Sequence, residues 1–91
     1  MKKSSYVYIL KCSDGTFYTG WTTDPKARLN AHNSGSGAKY TRGRRPVSLV
    51  YYEELSSRSE ALKREAAIKR LPRNKKLELI ADSNKNKLSM H

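Results

Sequence analysis

Two short hydrophobic stretches near the start of the chain are separated by a polar turn. Residues 6–10 (YVYIL) and 17–22 (FYTGWT) are rich in aromatic and β-branched side chains, which suit a pleated, half-buried surface. Between them, residues 13–15 (SDG) are the residue types that tight turns favour. The pattern predicts a β-hairpin.

The length of the turn decides which side chains share a face of the hairpin. A two-residue loop at 14–15 and a three-residue loop at 13–15, with the glycine at positive φ, both fit the sequence. Because a one-residue slip moves every side chain to the other face, the shorter loop would turn Tyr8 and Tyr18 to opposite faces. The longer loop pairs Tyr8 with Gly20 and puts both tyrosines on one face, around a small open spot. We predict the longer loop.

A helix and a loop are predicted after the hairpin. Pro25 suits the first position of a short helix that continues to Asn33, with Thr23 or Asp24 as its N-cap. Serine and glycine residues then end this helix and begin a loop that we expect to be flexible and that continues to Pro46.

A third strand and two further helices follow the loop. Residues 47–54 (VSLVYYEE) have strand character. Ser57 and Glu60 form the capping-box pattern of a helix, which continues to about Leu71 and is broken by Pro72. The last helix is predicted over residues 73–81. Its apolar contacts are predicted to be Leu77 and Ile80.

This order of elements indicates the fold class. The order strand, strand, helix, strand, helix, helix predicts an α+β domain, with a small three-stranded antiparallel sheet flanked by helices. A chain of 91 residues makes one small domain, which we assign to residues 1–82. Residues 83–91 are polar and rich in Lys and Asn, so we predict a disordered basic tail there.

The chain is strongly basic, with 19 Lys and Arg against 8 Asp and Glu, which gives a net charge of +11. Such a field attracts polyanions, so nucleic acid is the expected partner; a basic protein without that role is the alternative. An anionic membrane surface ranks lower, because the basic residues are not concentrated on a strongly hydrophobic amphipathic helix. No apolar run is long enough to span a membrane, and no signal-type segment is evident. We expect a cytoplasmic monomer.

Cysteine usage narrows the chemistry further. The single cysteine, Cys12, excludes a disulfide framework and a multi-Cys zinc site. Its position at the end of a predicted strand indicates a buried structural thiol.

Glu65 is the most informative single position. Helical geometry puts it on the same inward stripe as Ala61 and Ile68. A carboxylate there is costly unless it is paired or binds a metal. One interpretation is an i,i+4 pair with Lys69, which is worth a few tenths of a kcal/mol. The other is a metal ligand, for which a hard oxygen donor suits Mg²⁺.

Arg28 and His32 are one turn apart on one face of the first predicted helix. A guanidinium beside a metal would stabilise negative charge on a phosphate. An ordinary surface arginine and a partly buried structural histidine are the alternatives.

The two halves of the hairpin carry a family resemblance. Residues 6–8 (YVY), followed about ten residues later by 18–20 (YTG), resemble the signature of the GIY-YIG nuclease superfamily. Tyr6 stands for the first glycine of the signature and Thr19 for its isoleucine. The similarity covers roughly residues 5–82 and is greatest to the small stand-alone branch of the superfamily.

The resemblance implies roles for five residues. In the family, the tyrosine that matches Tyr8 acts as general base on the attacking water or orients it, and the one that matches Tyr18 contacts the phosphate or the water. The family's helical arginine maps onto Arg28, and His32 occupies a position whose His or Tyr assists proton transfer. The glutamate that matches Glu65 holds one divalent cation, Mg²⁺ or Mn²⁺.

A phenol is a poor base at neutral pH, because its unperturbed pKa is about 10. A nearby cation must therefore lower the pKa of Tyr8 or take up the charge. Arg28 and the metal ion at Glu65 are the candidates.

The loop before the third strand interleaves basic and aromatic residues, as nucleic-acid grooves do. Residues 37–41 (GAKYT) resemble a Gly-Ala-x-x-Thr stretch of the structure-selective branch of the superfamily. A solvated basic loop is the alternative interpretation. The predicted substrate contacts are Gly20, Lys39, Tyr40, Thr41, Arg42, Arg44 and Arg45.

Together these observations predict a metal-dependent endonuclease that hydrolyses nucleic acid, DNA rather than RNA, with low sequence specificity. A non-catalytic nucleic-acid-binding module on the same fold is the rival hypothesis. A small basic partner of a larger ribonucleoprotein assembly is the third.

Overall fold

The computed structural model describes the backbone of residues 4–89 and the side chains of residues 4–83. It has three strands and four helices in one α+β arrangement, as predicted, apart from one additional short helix. The elements are β1 (Ser5–Lys11), β2 (Phe17–Thr22), α1 (Pro25–Ser34), α2 (Lys39–Arg42), β3 (Ser48–Leu55), α3 (Arg58–Lys69) and α4 (Arg73–Ser89).

The sheet is antiparallel, with the strand order β2-β1-β3. The hairpin adopts the predicted register, because Tyr8 is paired with Gly20 and Leu10 with Tyr18. Gly15 has φ of 85°, as the three-residue loop requires. Tyr8 and Tyr18 therefore share a face of the sheet.

Alternation along β1 creates two cores, one on each face of the sheet. Val7 and Ile9 pack with Ala61 and Ile68 of α3. On the other face, Tyr8 and Leu10 pack with Cys12 and Val47, and Leu29 of α1 lies against them. Cys12 is 3% exposed, which confirms the predicted buried thiol.

Local signals fix the ends of the helices that carry site residues. Asp24 is the N-cap of α1, since its side chain accepts a hydrogen bond from the amide N–H of Ala27, and Gly35 ends the helix with φ of 90°. Ser57 caps α3 by accepting from the amide N–H of Glu60, as the capping-box pattern predicted.

Two sequence-based predictions about α4 are wrong. The helix continues to Ser89 and does not end near Ala81, because no glycine or proline follows Pro72 to stop it. The predicted apolar contact Leu77 is 45% exposed, and Leu79 packs against the first core beside Ile80. Met90 and His91, the end of the predicted disordered tail, lie outside the described residues.

The segment predicted as a flexible loop is also different from expectation. It contains the short helix α2, and Thr41 within that helix is completely buried. Within residues 4–89, no helix combines the length and the apolar character that crossing a bilayer would require.

Candidate active site

A cleft of about 330 Å³ lies beside β2, an edge strand of the sheet. Residues from β1, β2, α1 and α3 line it, together with the segment that follows α1. Helices α1 and α3 pack on opposite faces of the sheet, and the cleft is where side chains from both faces meet. It is lined by all five residues predicted to carry chemistry, namely Tyr8, Tyr18, Arg28, His32 and Glu65.

Gly20 makes room for Tyr8. A methyl group on Gly20 would lie 2.6 Å from the hydroxyl oxygen of Tyr8 and 2.8 Å from the ring carbon that bears it. The phenol therefore lies across the bare backbone of β2 and reaches the cleft, although Tyr8 is only 3% exposed. Gly20 was predicted as a substrate contact; it is buried, and it contributes the space that its missing side chain leaves.

A hydrogen-bonded chain connects Tyr8 to the interior through His32. Tyr8 Oη lies 3.1 Å from His32 Nε2, and His32 Nδ1 lies 2.8 Å from Thr41 Oγ1. The Thr41 hydroxyl donates to the Ala38 carbonyl oxygen at 2.8 Å. His32 is 1% exposed and Thr41 is 0% exposed. His32 is thus buried, as in the structural interpretation of this residue, and it also lines the cleft.

Tyr18 belongs to an aromatic group at the border of the cleft. Its ring centroid lies 5.2 Å from that of His32 and 6.4 Å from that of Tyr8. Tyr40 stacks on Tyr18 with a centroid separation of 5.9 Å, and the Arg44 guanidinium lies 4.0 Å from the centroid of Tyr40. Tyr18 is therefore held in place from two sides.

Burial sets the ionisation of Tyr8 and His32. Burial raises the pKa of Tyr8, and Tyr18 raises it further; Arg28 lowers it but is outweighed, and Glu65 adds to the rise. Burial, followed by the charge of Arg28, lowers the pKa of His32. At neutral pH the site therefore holds a neutral phenol beside a neutral imidazole. Arg28, one of the two candidate cations, lowers the pKa of Tyr8 but does not offset the effect of burial.

Arg28 and Glu65 bring opposite charges to the cleft. Arg28 is an exposed residue on α1. The Glu65 side chain is 18% exposed, and Lys69 Nζ lies 3.6 Å from its Oε2. Glu65 therefore lies on the predicted inward stripe of α3 and is also paired with Lys69. Lys69 is 53% exposed, and an i,i+4 pair of this kind contributes only about 0.3–0.5 kcal/mol.

The single carboxylate described in the cleft fits a hard cation and does not by itself form a closed metal site. Among the described side chains, no group of three or more His, Cys, Asp or Glu residues could hold a metal. Glu65 is the one carboxylate among the residues described as lining the cleft. Mg²⁺ characteristically takes one or two carboxylates together with substrate phosphates and several waters. A volume of about 330 Å³ accommodates such an ion with water, since each water needs about 30 Å³.

The predicted substrate contacts fall into two groups. Lys39 and Arg42 are exposed. Arg44 is engaged within the protein, since its Nε lies 3.0 Å from Asp14 Oδ2 and it donates to the Tyr40 carbonyl oxygen at 2.8 Å. This pairing joins the hairpin loop to α2.

Arg45 and Thr41 also make contacts within the protein, although Arg45 is exposed. Arg45 donates to the carbonyl oxygens of Arg42, at 2.9 Å, and Asn33, at 3.3 Å. Thr41 is buried against His32 and has no exposed surface with which to contact a substrate. These two residues shape the segment from which Lys39 and Arg42 project.

Gly37 is a site residue whose structural role sequence reasoning missed. A methyl group there would lie 2.3 Å from His32 Nδ1, so only glycine lets this segment pack against the imidazole. The Gly-Ala-x-x-Thr pattern includes this glycine, but only residues 39–41 of the pattern are predicted to contact the substrate. Trp21 also lines the cleft, and the Arg58 guanidinium lies 5.3 Å from its ring centroid.

The chain is similar to several known proteins. A family model described as the GIY-YIG catalytic domain matches residues 4–78. A UPF0213 protein of Clostridium perfringens is 56% identical over 80 residues, which are 88% of this chain and 86% of that protein.

Two solution NMR structures are similar to the whole fold. The UPF0213 protein of Bacillus halodurans has 50% sequence identity and a TM-score of 0.56, and the match covers 86% of this chain and 83% of that one. A protein of E. faecalis has 49% identity and a TM-score of 0.61, over 91% of this chain and 88% of that one. These names specify no reaction.

Proposed function

Because the chain belongs to the GIY-YIG family of catalytic domains, we propose that it is a divalent-metal-dependent endonuclease that hydrolyses phosphodiester bonds, with DNA as the favoured substrate. The observation that supports this proposal is the convergence of Tyr8, Tyr18, Arg28, His32 and Glu65 on one cleft. The net charge of +11 supplies attraction to a polyanion. Contacts mainly to the nucleic-acid backbone would give low sequence specificity.

Binding of the scissile phosphate is the role of Arg28 and Tyr18. Arg28 presents an exposed guanidinium at the cleft, and charge-assisted hydrogen bonds of this kind strengthen as negative charge develops on a phosphate. Tyr18 is held by its ring contacts with His32 and Tyr40, so its position is fixed before substrate arrives.

Proton transfer is the role of Tyr8 and His32. A neutral phenol with a raised pKa is a poor base by itself. It can, however, pass on a proton, because its hydroxyl lies 3.1 Å from His32 Nε2. A water that attacks phosphorus gives its proton to Tyr8 Oη while the Tyr8 proton moves to Nε2. The leaving oxygen departs as an oxyanion with the electron pair of its bond to phosphorus, and the protonated His32 carries the positive charge.

A divalent cation is the additional component that the proposal requires. Glu65 would hold it, with water and the substrate phosphate as further ligands. When bound, such a cation supplies Lewis-acid polarisation of the phosphate and stabilises the leaving oxygen.

Cleavage assays test the proposal. Labelled single-stranded, duplex and branched DNA and RNA would be incubated with the protein in Mg²⁺, in Mn²⁺ and in EDTA. We expect cleavage in at least one metal, none in EDTA, and loss of cleavage in Glu65→Gln. Lys69→Ala is the matched control, because it removes the ion pair and keeps the carboxylate. Cleavage that persists in EDTA or in Glu65→Gln would refute the metal-dependent mechanism.

A non-catalytic nucleic-acid-binding module is the second candidate. The Lys69–Glu65 pair favours it, because it satisfies the carboxylate without a metal. Salt-dependent binding to nucleic acid without cleavage in any metal would identify this function.

A further inference from the structure

Thr41 differs from the other predicted substrate contacts because its side chain is completely buried. Its hydroxyl oxygen has two near neighbours, His32 Nδ1 and the carbonyl oxygen of Ala38, each at 2.8 Å. It reaches no surface from which a substrate could approach. It is connected to the cleft through His32 and Ala38, which both line the cleft.

The number of available protons decides the direction of these two hydrogen bonds. The Ala38 carbonyl oxygen can only accept, and Thr41 has one hydroxyl proton to give. Two oxygens 2.8 Å apart require a proton between them, so the Thr41 hydroxyl donates to Ala38. The other contact of Thr41 must then run in the opposite direction, with His32 Nδ1–H as the donor.

One contact in the structure opposes this assignment. The amide N–H of Ala38 points towards His32 Nδ1 at 3.3 Å, and it would favour an unprotonated Nδ1. That contact is the longest of the three around this group, whereas the two contacts of the Thr41 hydroxyl are both 2.8 Å. Hydrogen bonds weaken as they lengthen, so the threonine contacts prevail.

We therefore propose that Thr41 is a positioning residue that holds neutral His32 as its Nδ1–H tautomer, so that the Nε2 lone pair accepts the Tyr8 hydroxyl proton. Gly37 permits this arrangement, because any side chain there would collide with Nδ1. The catalytic consequence rests on the proposed function, whereas the tautomer itself does not.

The tautomer is measured directly by nitrogen-15 NMR of the imidazole. The chain has two histidines, so an untagged His91→Ala variant leaves His32 as the single imidazole signal. At a pH where His32 is neutral, we expect Nδ1 to show the shift of a protonated ring nitrogen and Nε2 that of an unprotonated one. The opposite pattern would overturn the proposal without any reference to activity.

Two variants of Thr41 complete the test. Thr41→Val keeps the shape and removes the hydroxyl, so the Ala38 amide becomes the remaining partner of Nδ1, and we expect the proton to move to Nε2. Thr41→Ser restores the hydroxyl and should restore the wild-type spectrum. An unchanged tautomer in Thr41→Val would contradict the assignment. A Thr41→Val protein that does not fold leaves the wild-type measurement decisive.

Activity provides the second readout. If the protein cleaves nucleic acid, Thr41→Val should lower kcat by about 10²-fold or more, the contribution expected of a positioned acid–base group, with little change in KM; Thr41→Ser should recover it. Equal kcat in Thr41→Val and wild type would refute the catalytic consequence. The predicted tautomer in a protein that cleaves nothing would refute the proposed function and leave the assignment of Thr41 intact.

Discussion

Successive side chains of the central strand β1 point into two different cores, one on each face of the sheet. Val7 and Ile9 contact the apolar side chains Ala61 and Ile68 of α3. Tyr8, between them, points to the other face, where it is hydrogen-bonded to the buried His32. The first core consists of packed apolar side chains, whereas the second contains a chain of hydrogen-bonded polar groups and borders the cleft.

Under the proposed function, this difference separates stability from chemistry within a single strand. Apolar burial contributes stability in proportion to area and has no directional requirement. A buried polar chain specifies where each proton lies, and it is costly if any member loses its partner. We therefore expect substitutions on the apolar face of β1 to lower stability and substitutions on the polar face to lower activity.

The largest expected effect on stability comes from Ile9→Ala. Ile9 is completely buried, and truncation of such a residue costs about 2–5 kcal/mol. Urea unfolding followed by circular dichroism would measure the loss, with Ile9→Val as the graded control at about 0.5–1.5 kcal/mol. The molecules that remain folded should keep the cleavage rate of the wild type. A comparable loss of activity per folded molecule would erase the distinction between the faces.

The next largest effect is expected from Gly20→Ala. The added methyl group would lie 2.6 Å from the Tyr8 hydroxyl oxygen, so the phenol has to shift, and we expect its hydrogen bond to His32 to be lost. Overpacking of this kind costs about 1–3 kcal/mol, and activity should fall with it. Gly43→Ala is the matched control, because nothing lies within 4 Å of the added atom and φ is −90°. Equal stability and equal activity of the two variants would mean that the position of Tyr8 does not depend on the space at Gly20.

A smaller effect is expected from pH, through His32. Its pKa is lowered by burial and by Arg28; Tyr8, Tyr18 and Glu65 also face the cleft. In the window between the lowered folded value and the unfolded value of about 6.5, the unfolded chain binds more protons. The stabilising contribution is therefore present above that window and is lost as pH falls through it. Urea unfolding midpoints measured between pH 5 and 7.5 should rise with pH in wild type and should rise less steeply in His32→Gln. An identical dependence of the midpoint on pH in both proteins would exclude His32 as the cause of the pH dependence.

The smallest effects separate the basic residues of one segment. Arg42→Ala removes an exposed charge, so it should leave stability within about 0.5 kcal/mol and reduce the slope of log K against log salt by about 0.7–0.9. Arg44→Ala removes a guanidinium that is stacked on Tyr40 and paired with Asp14, so it should destabilise the fold more and change the salt slope less. Nucleic-acid titrations at several salt concentrations would test the pair. The reverse ranking would assign substrate binding to Arg44.

The parts of the site that were predicted from sequence depend on local patterns. The hairpin register followed from a turn and a glycine, and the inward position of Glu65 followed from helical periodicity with Ala61 and Ile68, both completely buried. The hydrogen-bonded chain was not predictable in this way. The burial of Thr41 depends on a tertiary contact with His32, and a threonine among charged residues has the pattern of a solvated loop.

The central claim is that the Tyr8 hydroxyl, on the polar face of β1, takes part in the chemistry. Its most direct test is to remove one oxygen atom at two positions of the same strand. Tyr8→Phe removes the hydroxyl that lies in the cleft, whereas Tyr6→Phe removes one outside it, in a residue whose ring packs edge-on against Tyr52.

Both proteins would be assayed on the substrate that wild type cleaves, after confirmation that each is folded. We predict that Tyr8→Phe lowers kcat/KM by about 10²–10⁴-fold and that Tyr6→Phe retains the wild-type value. Full activity in Tyr8→Phe, or an equal loss in both variants, would contradict the claim.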